Sequence, residues 1–110
     1  MDHEHRNDID DVANLIDEFI SDNTEDLLQI CHDLTACNSI NPPGSTVETA
    51  KVIQNFFKKN GIKSELLSSD VSKPNLVSTI DSQKLGRHLI FNGHMDTVSP
   101  GNQSDWSIPL

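Results

Sequence analysis

Leu89-Ile90-Phe91-Asn92-Gly93-His94-Met95-Asp96-Thr97-Val98 is the stretch on which the reading of this chain turns. Three apolar residues run into a glycine, and a histidine and a carboxylate follow two positions apart. The run predicts a strand over His88–Gly93, with His94 and Asp96 just past its carboxyl end, where open α/β sheets build their sites. In extended backbone, positions i and i+2 face one side, about 6.6 Å apart at ~3.3 Å per residue, so the two side chains project into a common space. A metal-bound histidine gives its other ring N–H to a carboxylate or carbonyl, and Asp96 could be that partner directly or through water. The spacing fits equally a capped strand end carrying a hydrogen-bonded histidine, and on spacing alone both readings stay open.

Upstream, Asp81–Arg87 carries turn residues including Gly86, so the strand at 88–93 could return as the hairpin partner of a strand over Asn75–Ile80. A shorter strand is expected over Ile62–Leu67, with a polar loop from Ser68 to Pro74 between them. Before these lies a well-marked helix: Ser45 and Glu48 stand at capping-box spacing, Val47, Ala50, Ile53, Phe56 and Phe57 form its buried face, and Gly61 after Asn60 supplies a left-handed stop. Asn38-Ser39-Ile40-Asn41-Pro42-Pro43-Gly44 must be a loop, because successive prolines remove donors and push their neighbours into extended conformations. The first third is helical. Ile9, Val12, Ala13, Ile16, Phe19 and Ile20 share one face, with Asn7 or Asp8 as the cap, and Leu27, Leu28, Ile30, Cys31 and Leu34 continue the period. Asp22-Asn23-Thr24 could end one helix and cap the next, or lie within a single long one. No internal repeat or low-complexity stretch is present.

The chain has 110 residues, 35% of them hydrophobic and 23% charged, with a mean hydropathy of −0.44. One domain is the expected size, and no run of about 18 apolar residues is available to cross a bilayer. Met1-Asp2-His3-Glu4-His5-Arg6 lacks the basic and apolar regions of a secretory signal, which makes the cytoplasm the default address. Of the formal net charge of −9, residues 1–33 hold eleven acids against Arg6 alone. An acidic first third argues against nucleic acid as a partner, since phosphate binding rests on clustered Lys and Arg. It reads as a solvated helical face, with a docking surface for a basic partner as the alternative.

Cys31 and Cys37 are too few for a disulfide framework and are not spaced as Cys-x-x-Cys. On one helix they would stand about 9 Å apart along the axis, beyond a bridge, and they read as small buried hydrophobes. His88 lies six strand positions, about 20 Å, from His94, so the two cannot share an ion. His32 reads as an exposed helical residue, and Met1-Asp2-His3 could wrap a square-planar copper or nickel ion. No Gly-x-Ser-x-Gly elbow, Gly-x-Gly-x-x-Gly or phosphate loop occurs.

The series from Asn38 to Gly44, the helix ending at Gly61, Pro74-Asn75-Leu76-Val77, the stretch Leu89–Val98, and Trp106 with Pro109-Leu110 together resemble the start of the zinc-dependent aminoacylase, acetylornithine deacetylase and succinyl-diaminopimelate desuccinylase family, which includes glutamate carboxypeptidases. The resemblance covers about Thr24 to Leu110, and Gly93-His94-Met95-Asp96-Thr97-Val98 is its most specific part. It implies an α/β fold: N-terminal helices and the first strands of a three-layer α/β/α zinc-peptidase-like catalytic domain, cut short, with residues 1–7 an acidic flexible tail and 8–110 the incomplete catalytic domain. It implies that His94 is a ligand of one zinc, that Asp96 is the catalytic-site carboxylate orienting it, and that Thr97, Trp106 and Pro109 are scaffold. Family members use two zinc ions, for which cobalt or manganese can stand in, and hydrolyse the amide bond of N-acyl amino acids or small peptides with a glutamate as general base. The implied partner is thus a small molecule, with no nucleic acid, no membrane, and a homodimer open for the full-length protein. Ser99 stands between Val98 and Pro100 where the family commonly has proline directly after the valine. The bridging aspartate, the glutamates and the second histidine all fall downstream in the family, and Asp105, the only acid after Asp96, matches none of them. The alternative is a non-catalytic remnant or interaction module.

Overall fold

The structure, a computed structural model, describes residues 3–109. The chain divides into two compact units, residues 1–32 and 33–110. The first is helical. α1 spans His3–Asp22 and α2 spans Thr24–Thr35, so the chain makes two helices, not one. The break is local chemistry: the Asn23 side-chain amide donates to Phe19 O at 2.8 Å and the Thr24 hydroxyl to Ile20 O at 2.9 Å, and these side chains close the end of α1. α1 begins at His3, ahead of the expected caps Asn7 and Asp8, and inside the stretch assigned to a tail. Met1 and Asp2, with the copper or nickel motif they would form, lie outside the described residues. The stripe formed by Ile9, Val12, Ile16 and Phe19 is exposed along its length.

In the second unit, α3 spans Val47–Lys59 and packs on a two-stranded antiparallel sheet of β1, Ser64–Leu67, and β2, Asn75–Ser78. The register pairs Ser64 with Ser78 and Leu67 with Asn75. Both strands fall inside their expected bounds. Ala50 is the fully buried apolar side chain among the described residues, while Val47, Ile53, Phe56 and Phe57 are half-buried. The α3 terminus is a Schellman motif: Gly61, at φ +73°, donates to Lys58 O, and Ile62 donates to Phe57 O at 2.8 Å.

Three expectations are corrected. The capping box does not form. Thr46 is the residue before α3, with no side-chain cap, and its N–H goes to Ser72 O at 3.0 Å, while Glu48 pairs with Lys51 at 2.9 Å. The loop carbonyl supplies an acceptor at the helix start, and one position of offset puts Ser45 out of register. Second, His88–Gly93 is not a strand or a hairpin partner: β2 pairs with β1, and Leu89, Ile90 and Phe91 are 79–90% exposed. A continuous apolar run suits a strand buried on both faces, and no strand neighbours it among the described residues. Third, Cys31 is exposed and Cys37 half-buried, so neither is a core hydrophobe; the Cys37 thiol lies 3.3 Å from Asp33 O. The described elements, three helices and a two-stranded antiparallel sheet, are compatible with the expected α/β class.

The loop between β1 and β2 is organised by Asp70. Its carboxylate accepts the Ser72 hydroxyl at 2.7 Å and the Ser72 N–H at 2.9 Å, and these bonds, the hydroxyl first, hold its pKa below the ordinary value. Because the folded value is the lower one, this contribution to stability is present above the ordinary Asp pKa and is lost as pH falls through the lowered value. Ser72 O in turn receives Thr46. We expect amide protection at Ser72 and Thr46 to fall together on acidification, and Asp70→Ala to lower both at neutral pH. Hydrogen exchange unchanged in the variant would refute that link.

Candidate functional site

The prolines of 38–44 leave few backbone donors, and one of these, Asn41 N, is spent on the segment after Gly93. Asn41 N donates to Thr97 O at 2.8 Å and Thr97 N to Ser39 O at 3.0 Å, forming a parallel bridge between Ile40 and Thr97. Ser39 is buried, with its hydroxyl 3.5 Å from that of Thr97. Gly44 N returns to Ile40 O at 2.9 Å and tightens the turn. The Asn41–Pro42 and Pro42–Pro43 bonds are cis. The loop thereby lies against His94–Thr97, some 55 residues later in the chain.

His94 Nδ1 lies 3.0 Å from Asp96 Oδ1 and 2.8 Å from Asp96 O. The other carboxylate oxygen, Oδ2, accepts the Asn41 side-chain amide at 2.8 Å. The Asn41 hydrogen bond, followed by that of His94, holds the Asp96 pKa below the ordinary carboxylate range. An ionised carboxylate only accepts, so the proton between the two groups sits on Nδ1. When the ring is neutral, Nε2 then carries the lone pair, on a side chain 83% exposed, against 33% for Asp96. This is the tautomer a metal-binding histidine needs, and the donor set at this point fits one ligand position.

Among the described residues no group of three or more His, Cys, Asp or Glu side chains could hold a metal ion, so His94 stands as a single candidate ligand. His88 is exposed and Asp105 belongs to a short 3-10 turn, Gln103–Asp105. Trp106 donates its indole N–H to Pro100 O at 2.9 Å and is half exposed, and Pro109 is exposed. Sequence reasoning found the His94 and Asp96 pair but read Ser39 and Asn41 only as loop. No period links residues 55 positions apart; the one available signal was a polar side chain directly before two prolines, a place where the backbone is fixed.

No helix among the described residues is long and apolar enough to cross a membrane. No family model and no solved structure matches the chain. Curated relatives do. The probable succinyl-diaminopimelate desuccinylase of Staphylococcus aureus (strain MRSA252) is 30% identical over 82 residues, covering 74% of this chain and 19% of its own length. The succinyl-diaminopimelate desuccinylase of Bradyrhizobium sp. (strain ORS 278) is 32% identical over 90 residues, covering 76% and 22%. The N-formyl-4-amino-5-aminomethyl-2-methylpyrimidine deformylase of Halalkalibacterium halodurans is 26% identical over 93 residues, covering 82% and 22%. The chain spans about a fifth of the length of these relatives. Over about three-quarters of its own length, the chain resembles the aminoacylase, acetylornithine deacetylase and succinyl-diaminopimelate desuccinylase family.

Proposed function

We propose that this chain is the N-terminal part of a zinc-dependent hydrolase that cleaves the amide bond of an N-acyl amino acid or small peptide. The observation that carries the reading is the His94 ring, whose Nδ1 is turned onto Asp96 on a side chain that is largely exposed. The relatives, named for removal of succinyl and formyl groups, support an acylated amine as substrate. In this reading Nε2 of His94 holds one zinc ion and Asp96 fixes the ring and raises its basicity. When bound, zinc polarises the scissile carbonyl and lowers the pKa of a bound water. A catalytic zinc takes about three protein ligands, so this reading requires the other ligands and the general base to come from outside these 110 residues.

The test has two arms. The 110-residue chain alone should hydrolyse no N-acyl amino acid above background. The longest continuous reading frame that carries this segment should hydrolyse N-succinyl or other N-acyl amino acids, lose that activity to a chelator, and regain it with zinc. Hydrolysis indifferent to the chelator, or zinc-dependent turnover by the 110-residue chain that vanishes in His94→Ala, would overturn the assignment. The exposed apolar stripe of α1 favours a second reading, a non-catalytic interaction module, and an authentic stop codon after Leu110 would support it.

A further inference from the structure

We propose that Asn41 is a positioning residue for the His94 site: it clamps one oxygen of the Asp96 carboxylate so that the other is delivered to the imidazole. Its consequence for a metal rests on the reading of His94 given above; the clamp itself does not. The carboxylate torsion of an aspartate is broad and roughly two-fold, so backbone alone does not decide where Oδ1 points. A donor on Oδ2 does. The Asn41 amide supplies it at 2.8 Å, and Oδ1 then sits 3.0 Å from His94 Nδ1. The orientation of the amide follows from charge, since its oxygen turned toward an ionised carboxylate would meet acceptor with acceptor.

Asn41 is itself held from two sides. Its N–H is bonded to Thr97 O, and the next bond of the bridge runs from Thr97 N to Ser39 O. Behind it the Gly44 backbone comes so close that a Cβ there would stand 2.8 Å from Asn41 Cγ. The loop therefore fixes the Asn41 backbone through bonds that do not involve the Asp96 carboxylate or the His94 ring. Chemistry explains the residue type as well. Alanine has no donor, and an aspartate would set a second negative charge against Asp96. A neutral imidazole in water favours the Nε2–H form; Asp96 opposes this with two acceptors at Nδ1, its carbonyl at 2.8 Å and the Oδ1 that Asn41 orients at 3.0 Å, and Nδ1–H leaves Nε2 able to ligate.

The experiment is ring ¹⁵N NMR of His94 in the metal-free 110-residue chain, at a pH where the imidazole is neutral, for wild type, Asn41→Ala and Asn41→Asp, with the Thr97 amide as reporter of the docked loop. Wild type should be mainly Nδ1–H. Both variants should lose part of the Nδ1–H population to Nε2–H, the Asp96 carbonyl still accepting at Nδ1, while the Thr97 amide stays protected, because the bridge is made by backbone atoms. The proposal is overturned if the tautomer is unchanged in both variants, if wild type is not mainly Nδ1–H, if Thr97 is unprotected in wild type, or if both variants lose Thr97 protection, which would make Asn41 a loop-folding residue only. No zinc enters the sample, so failure here is distinct from failure of the hydrolase reading, which is decided by chelation and turnover.

Discussion

If the proposed hydrolase reading holds, then in the longer protein His94→Ala should empty or loosen one zinc position and abolish turnover, whereas Asp96→Asn should keep the fold and lose about 10- to 100-fold in zinc affinity or activity. The difference in size follows from where each group acts. Alanine removes the nitrogen that would bind the ion. Asparagine keeps the shape and a hydrogen-bonding group beside Nδ1 but removes the charge that raises the basicity of the ring. It also replaces the carboxylate that receives both Asn41 and His94. Metal analysis and steady-state kinetics on the two variants decide the matter. If Asp96→Asn equals wild type in both assays, or sheds more zinc than His94→Ala, the roles are wrongly assigned.

Gly44→Ala is expected to be the most damaging single-atom change in the loop. Gly44 has φ +73°, a left-handed conformation that costs an L-residue roughly 1–2 kcal/mol. The added Cβ would also stand 2.8 Å from Asn41 Cγ and 3.1 Å from its Oδ1, so the clamping side chain has to move. Gly61 is the natural control, since it has the same φ of +73° and nothing within 4 Å of an added Cβ. Gly61→Ala should show only the conformational cost, at the end of α3. Gly44→Ala should show that cost plus loss of Thr97 amide protection and a fall in the Nδ1–H fraction of His94. Equal destabilisation by the two substitutions, with Thr97 still protected in both, would mean that the loop absorbs the methyl group and that the close approach is unimportant.

Local chemistry was readable where one short segment contains its own reason. The stop at Gly61 needs only a residue free to adopt positive φ after a helical period, and the structure supplies both Schellman hydrogen bonds there. β1 and β2 were legible from apolar residues bounded by polar turns, and the pairing of His94 with Asp96 from a two-residue spacing. Wherever a partner from elsewhere in the chain competes, local reading fails. Ser45 and Glu48 have capping-box spacing, yet the Thr46 N–H finds Ser72 O and the box is not made. Cys31 follows an apolar period, but a period names a face and not what covers it. Leu89–Phe91 has the composition of a buried strand, and a strand exists only through hydrogen bonds to a neighbour that its own sequence does not contain. The same holds for the site. Residues 94 and 96 announced themselves, while Asn41 reached Asp96 only because a backbone bridge between Ile40 and Thr97 closes a gap of more than fifty residues, a contact that pairing decides and that no local pattern encodes.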